Sequence, residues 1–460
     1  MEQIDFRHPC RVFFVGIGGI SMSALAEILS LWGFTVSGSD SQRSPVTDSL
    51  EEKGIHVWIG QRKENITAQI DLAIETSAIQ PNNPEYLAIR ELGIPCLSRA
   101  DLLGQIMKNY ETAIAVSGTH GKTTTTSMIA ELLMACDYDP TVLVGGMLPS
   151  IGGNLRIGKS CYFLTEACEY TNSFLSFFPK IGIILNIEED HLDYFDGIDH
   201  IRASFHAFAR LVPQDGILIV NGDIPDVSQL TRDCLCEVLT FGQDPSNDYQ
   251  ITTYSFADTG ESAFTLRKPN HESTTLSLVV PGLHNIYNAA AAFVLADRIG
   301  IPSETAADAL KHFRGTKRRF ERKGEIGGVS IVDDYAHHPT EIVATLTAAK
   351  QYGYRQIWCV FQPHTYTRTK KFLLQFAEAL ALADHIVLAD IYAARETDTL
   401  GISSVDLLDQ LVALGKDCHH FSTFDEIEIY LLENCTKGDL LITMGAGDIV
   451  KVGEMLLGPT

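Results

Sequence analysis

Thr112-Ala-Ile-Ala-Val-Ser-Gly118-Thr-His-Gly121-Lys122-Thr-Thr-Thr is the stretch on which the reading of this chain turns. Its first six residues predict a buried strand over Thr112–Ser117. Beyond Thr124, a pattern with Ile129, Leu132 and Leu133 on one face predicts an amphipathic helix. The glycines between them let backbone N–H groups face an anion at the positive end of that helix. Lys122 adds a point charge for terminal phosphates, and Thr123 a hydroxyl for a divalent cation. A strict phosphate-loop pattern has another glycine five positions before Gly121. Val116 stands there, so this is a shorter variant. Gly118, Thr119, His120, Gly121, Lys122, Thr123 and Thr124 are the expected phosphate-binding residues, and ATP the expected ligand.

Working outward, short apolar runs alternate with helical patterns along the 460 residues, which predicts an α/β chain with mainly parallel sheets. That length exceeds one core and predicts two to four domains, and the patterns along the chain divide into three units. Residues 1–107 open with the strand Arg11–Val15, the turn Gly16-Ile-Gly-Gly-Ile-Ser21 and a helix burying Met22, Leu25, Ile28 and Leu29. Residues 108–316 carry the phosphate loop, strands near 161–166, 181–187 and 217–220, and a Thr- and Ser-rich stretch, 249–280, that predicts β-hairpins. Residues 317–460 predict a further α/β unit, with strands near 329–333, 356–361, 385–389 and 440–443.

Composition narrows the function classes. Apolar residues make up 45% of the chain, and no apolar run approaches the ~18–20 residues of a membrane span. A formal charge of −23 argues against a nucleic-acid or anionic-membrane surface, but not against phosphorylated small molecules. The ten cysteines form no Cys-x-x-Cys pair, and Met1-Glu-Gln-Ile-Asp lacks a signal-peptide pattern. A cytoplasmic protein with reduced thiols is expected, a monomer or dimer acting on small molecules.

The remaining motifs sit at predicted strand ends, where parallel sheets gather ligands. Glu166 ends one strand, and Asn186-Ile-Glu-Glu-Asp-His191 follows another. With Thr123, Glu166 and His191 could hold Mg²⁺, or Mn²⁺ given the imidazole. Read alone, His191 is as well explained by capping or packing. The turn at Gly16–Ser21, with Asp40 where a ribose-binding acid sits, is similar to a dinucleotide fingerprint. Plain strand–helix packing is its competing reading. Lys317-Arg-Arg-Phe320, Asp333-Asp-Tyr-Ala-His-His338 and Gln362-Pro-His-Thr-Tyr-Thr-Arg368 cluster in the third unit. Arg319 and Arg368 could offer forks to phosphate or carboxylate.

Taken in order, these motifs resemble the Mur ligases of peptidoglycan synthesis. The resemblance runs through Gly16-Ile-Gly-Gly-Ile, Ser-Gly-Ser-Asp40, the Gly118 loop, Asn-Ile-Glu-Glu-Asp-His191 and His284-Asn-Ile-Tyr-Asn288. It continues through Arg-Arg-Phe-Glu321, Asp-Asp-Tyr-Ala-His-His-Pro-Thr-Glu341, Phe-Gln-Pro-His364 and Gly-Ala-Gly-Asp448. The Gly-Ile-Gly-Gly-Ile turn points to the alanine-adding member.

The resemblance implies Rossmann-like domains flanking a phosphate-loop ATPase-like domain. It implies an ATP-dependent ligase that joins the lactyl carboxylate of UDP-N-acetylmuramate to L-alanine through an acyl phosphate. By similarity, Gly18, Gly19, Asp40 and Ser77 would touch the UDP-sugar, and Lys122 the β/γ-phosphates. Thr123 and Glu166 would hold Mg²⁺, and His191 a second cation. Asn285 and Asn288 would meet the adenine side, and Arg319, Asp334 and His337 would complete the nucleotide site. Tyr335, His364 and Arg368 would meet L-alanine, with His364 a candidate acceptor for the amine proton. Lys122, Arg319 and His364 are the expected catalytic residues.

The chain departs from the family pattern at several places. Glu166-Ala-Cys-Glu-Tyr-Thr171 stands for Glu-Ala-Asp-Glu-Ser-Asp, and Thr365 for the arginine after Gln-Pro-His. Ser21 replaces a glycine, and Gln61 lies near a usual histidine. Other readings are a murein-peptide ligase, an NAD-dependent oxidoreductase built on the first glycine turn, and a non-catalytic nucleotide-binding regulator.

Overall fold

The computed structural model describes residues 3–76, 79–192, 194–257, 259–394, 396–397 and 400–458. Ser77 lies outside the described residues. Among the described residues, the strands form sheets of five, ten and six.

The first sheet is wholly parallel, in the order His56–Ile59, Thr35–Asp40, Arg11–Val15, Leu72–Glu75, Cys96–Ser98. Phe13, Phe14 and Val15 are buried on both faces of the central strand, as a sheet covered by helices requires.

In the second sheet, Thr112–Ser117 lies between Ile181–Ile184 and Tyr162–Ala167, parallel to both. Three neighbouring strands therefore end side by side and deliver the phosphate loop, Asn186–His191 and Glu166–Glu169 to one edge. Tyr249–Phe256, Ser262–Arg267 and Ser273–Leu278 form the antiparallel extension that 249–280 predicts. The helix Leu283–Arg298 packs against the helix Lys122–Ala135. Its buried run Ala289–Ala292 has no bulk beyond Cβ, so the two helices can approach closely.

The third sheet runs Glu321–Ile326, Val329–Asp334, Leu440–Met444, Ile357–Phe361, His385–Leu388, Asp417–His420, with Glu321–Ile326 antiparallel to its neighbour. The three-domain α/β architecture expected from the sequence is thus present, with the third sheet's strand ends facing the phosphate loop across a cavity of about 620 Å³. No described helix is long and apolar enough to cross a membrane. All ten cysteines are free.

Candidate active site

The loop is built so that only glycine suits two positions. Gly118 has φ +144° and Gly121 φ +83°. A Cβ on Gly121 would lie 2.5 Å from Asn288 Oδ1, and one on Gly118 2.9 Å from Leu185 Cβ. Val116, where the longer loop pattern has glycine, is still inside the strand, in register with Glu166 and Ile183. The strand continues to Ser117, so the turn begins late.

Lys122 folds back over the loop. Its Nζ donates to Gly118 O, to Thr119 O at 3.1 Å and to Glu169 Oε2 at 2.9 Å. Both partners are secluded, with side chains 15% and 3% exposed. Burial pulls the ammonium's pKa down, but the Glu169, Cys168 and Glu166 side chains outweigh it and the net shift is upward. Glu169 Oε1 is buried without a hydrogen-bond partner. Glu169, two residues beyond the strand carrying Glu166, was not among the expected site residues.

Thr123 and Glu166 meet the same backbone. Gly145 N donates to Glu166 Oε1 at 2.6 Å. A Cβ on Gly145 would lie 2.9 Å from Glu166 Oε2, and one on Gly146 3.1 Å from Thr123 Cγ2. His191 faces elsewhere: its ring lies 4.6 Å from that of Tyr170, and its Nε2 3.9 Å from Asp190 Oδ2.

The junction with the third domain is an ion cluster. His120 Nδ1 lies 3.3 Å from Glu341 Oε1, and Nε2 lies 3.6 Å from Glu188 Oε2. The second distance is an ion-pair separation, and Nε2 has no hydrogen-bond partner. Burial alone would favour a neutral ring, but the two carboxylates prevail and raise His120 to about 9. Thr340 donates to Glu188 at 2.7 Å, and Glu341 also accepts from His337 N at 3.0 Å and lies 3.6 Å from Arg319. His338 completes a group with His120 and Glu188 whose ligand-type atoms lie within 4.8 Å of one another. An imidazolium between two carboxylates already supplies the positive charge in this cluster.

His120 carries a pH prediction. A pKa raised in the folded state stabilises fully below the ordinary value of 6.5, and this stabilisation is lost as pH rises through about 9. Tm should therefore fall by about 2–5 °C across that window, and His120→Asn should flatten the profile. Differential scanning fluorimetry across the window checks both.

Arg368 Nη2 donates to Asp190 Oδ1 at 3.0 Å, a second bridge between the central and third domains. Burial would raise Asp190, but Arg368 and nearby histidines hold it well below the usual carboxylate range. Arg368 Nη1 also contacts His364 Nδ1 at 3.3 Å. A guanidinium only donates, so Nδ1 accepts and the His364 proton sits on Nε2. Burial and Arg368 together lower His364 to about 4, keeping it neutral. His337 has the opposite tautomer: Nδ1 donates to Tyr335 O at 2.9 Å, leaving its lone pair on Nε2.

Arg319 lines the cavity with Asp334, Asn285 and Asn288. Asp334 accepts from Phe320 N and Ala336 N, each at 2.8 Å. Burial raises it to about 6 against the pull of Arg319 and those N–H groups. Asn288 Nδ2 donates to Asn285 Oδ1 at 3.2 Å within the helix Leu283–Arg298, whose Asn288 lies against Gly121 of the loop. Arg318 serves the fold instead, bonded to Asp333, Gly445 O and Gly447 O. The Tyr335 ring lies under both guanidiniums, 4.8 Å from Arg318 and 5.3 Å from Arg319. His191, Arg318, Phe320 and Thr365 all have positive φ, the strained backbone that gathers at working sites.

In the first domain, Gly18 N donates to Asp40 Oδ2 at 2.9 Å, and a Cβ on Gly18 would lie 2.8 Å from that oxygen. Asp40 therefore stiffens the turn that holds Gly18 and Gly19.

Comparison with known proteins accounts for this layout. Residues 11–111 match the model of the Mur ligase family catalytic domain, 116–296 the Mur ligase middle domain, and 318–447 the Mur ligase glutamate ligase domain. The chain belongs to the Mur ligase family. A UDP-N-acetylmuramate–L-alanine ligase from Lachnospira eligens is 54% identical over 458 residues, covering 99% of this chain and 100% of the relative. One from Agathobacter rectalis is 52% identical over 457 residues, with the same coverage of both chains. Among solved Mur ligase structures, the UDP-N-acetylmuramate–alanine ligase of Thermotoga maritima superposes with a TM-score of 0.82 at 30% identity, covering 97% of this chain and 98% of that one. A murein peptide ligase from Psychrobacter arcticus gives 0.74 at 26% identity, with the same coverage.

Four acids of this Mur ligase escaped the sequence reading: Glu169, Glu188, Asp190 and Glu341. All four lie within stretches quoted above, beside residues that were singled out. Their position just after a strand or at a helix start was the available signal.

Proposed function

We propose that this chain joins the lactyl carboxylate of UDP-N-acetylmuramate to L-alanine, converting ATP to ADP and phosphate, in peptidoglycan precursor synthesis in the cytoplasm. The full-length match carries the reading: the 54% identical relative bears this pair of substrates in its name, and its similarity spans all three domains.

A carboxylate is a poor electrophile because its leaving group is poor. Attack of the lactyl carboxylate on the γ-phosphate yields an acyl phosphate and ADP; the alanine amine then adds to the acyl carbon, and phosphate leaves. In the first step two anions must approach. The Gly118–Thr124 backbone N–H groups and Lys122 offset that repulsion. Lys122 must turn from Gly118 O toward the phosphates while Glu169 keeps it charged. The cavity wall, with Asn285 and Asn288 polar and Phe256, Leu283 and Phe313 apolar, suits a planar base. Arg319 and Asp334, which line the cavity, complete the nucleotide side. His337, also expected there, is not among the lining residues, and its ring lies 5.8 Å from that of His364.

Thr123 and Glu166 share the Gly145–Gly146 backbone and offer the oxygen donors that Mg²⁺ prefers, so these residues fit the ion. When bound, it supplies further neutralisation of phosphate charge. His191 with Asp190 is the place for a second cation, Mg²⁺ or Mn²⁺.

For L-alanine, the Tyr335–Arg368–His364 group is the proposed site. The His364 tautomer changes the role expected of it. With the proton on Nε2 it suits donation to the amino-acid carboxylate, and His337 is the neighbouring ring able to accept a proton. Gly18, Gly19 and Asp40 form the UDP end, with Ser77 beyond the described residues.

The test is phosphate release by the purified chain with ATP, UDP-N-acetylmuramate and each of L-alanine, L-serine, glycine and the recycled tripeptide. Release should need all three reactants and be fastest with L-alanine. Preference for the tripeptide would replace this reading with a murein-peptide ligase.

A further inference from the structure

Among the described residues, one group of histidines and acids converges closely enough to share a metal ion: His120, Glu188 and His338, whose ligand-type atoms lie within 4.8 Å of one another. His120 stands in the phosphate loop, Glu188 follows the strand Ile181–Ile184, and His338 caps the helix Pro339–Ala349 of the third domain. Two donors thus come from the central domain and one from the third. They are separate from Thr123 and Glu166, which meet Gly145 and Gly146 instead.

The group carries unused donors. His120 Nε2 and His338 Nε2 are both buried with no hydrogen-bond partner, and the two ring centroids lie 5.1 Å apart. His338 as a whole is 5% exposed. Two donors on a tetrahedral ion, each ~2.1 Å from it, stand ~3.4 Å apart. His120 Nε2 and Glu188 Oε2 stand 3.6 Å apart. On the other side of its ring, His120 Nδ1 faces Glu341 at 3.3 Å, the carboxylate–imidazole arrangement that orients a metal-ligating histidine. His338 Nδ1 accepts from Thr340 N at 3.4 Å. Ligation through Nε2 moves that ring's proton to Nδ1 and gives up only this long bond. His120 and Glu188 line the cavity, which gives an ion a way in and leaves a coordination position for water.

We propose that His120, Glu188 and His338 bind one zinc ion, and that the ion clamps the third domain onto the phosphate loop. Two imidazole nitrogens and a carboxylate oxygen are a donor set that zinc takes readily, whereas Mg²⁺ prefers oxygen. Zinc takes the place of the proton on His120 Nε2, which leaves to solvent, and brings twice its charge to the carboxylates. An ion bridging both domains resists the opening by which a nucleotide enters and leaves the cavity. The clamp rests on the nucleotide site proposed above; the zinc site does not.

Competition titration of zinc against a chromophoric chelator, on the full chain in excess Mg²⁺, tests the site. The wild-type chain should hold a zinc ion that Mg²⁺ does not displace. His338→Asn, which keeps a good helix cap, and Glu188→Gln should each weaken it by at least about 10-fold, while Glu166→Gln should not. Either of the first two serves if the other does not fold. Equal affinity in wild type and variants would put the zinc elsewhere, on cysteines for example, and overturns the proposal, as does displacement by Mg²⁺. Stopped-flow release of a fluorescent ADP analogue tests the clamp. Zinc should slow release by at least about 10-fold in the wild type and leave it unchanged in His338→Asn. Release that zinc does not slow would overturn the clamp. A chain that held zinc at these residues but did not bind the ADP analogue would overturn the nucleotide site instead.

Discussion

Lys122→Ala should lower phosphate release that depends on UDP-N-acetylmuramate and L-alanine by at least about 10³-fold. The loop's backbone N–H groups would still face the phosphates, but the mobile positive charge at the reacting end would be gone. A second consequence follows from Glu169. Its carboxylate is 3% exposed, with Lys122 Nζ at 2.9 Å and one oxygen already without a hydrogen-bond partner. Removing the lysine strands a buried charge, a loss that in comparable pairs costs about 3–5 kcal/mol. A fall in Tm should therefore accompany the loss of turnover. The double variant Lys122→Ala with Glu169→Gln separates the two effects. It should recover most of the Tm and none of the activity. Near-wild-type turnover in the single variant would remove Lys122 from the chemistry.

Glu341→Gln should reduce turnover by about 10- to 100-fold and weaken ATP binding, with a smaller change in Tm. Glu341 starts the third domain's helix Pro339–Ala349 and reaches His120 of the phosphate loop, Arg319 at the cavity wall and His337. Burial would raise its carboxyl, but His337, the charged His120 and Arg319 around it hold it well below the usual range. Neutralising it leaves His120 with Glu188 alone and frees Arg319 from its partner, so the two halves of the nucleotide site lose their tie. A double-mutant cycle with His120→Ala should show a coupling of about 1–3 kcal/mol in ATP binding. Additivity would mean that the two residues do not act together.

What could be read in advance has a common property: it is local. The turn at Gly118–Gly121 demands glycine because of its own φ angles. The strand before it and the helix after it follow from hydrophobic periodicity over a few residues, and the hairpins at 249–280 from β-branched runs bounded by turns. The acids around the site are another matter. Glu169 meets Lys122 across 47 residues, Thr340 meets Glu188 across 152, and Arg368 meets Asp190 across 178. In Glu188-Glu-Asp190 nothing local says which carboxylate turns inward. Arg318 and Arg319 are adjacent and chemically identical. The positive φ of Arg318 and its bonds to Gly445 and Gly447 turn it into the fold and leave Arg319 on the cavity.

By itself, then, the sequence determined the α/β architecture, the phosphate loop and the family. These depend on residue type and spacing within single strand–turn–helix units. Only the tertiary structure decided which charges face one another: Lys122 with Glu169, His120 between Glu188 and Glu341, and Arg368 with Asp190. Those pairings arise where separately folded sheets bring their strand ends together. A charge is tied by burial and by whichever partner lies within a few ångströms, and neither follows from its place along the chain.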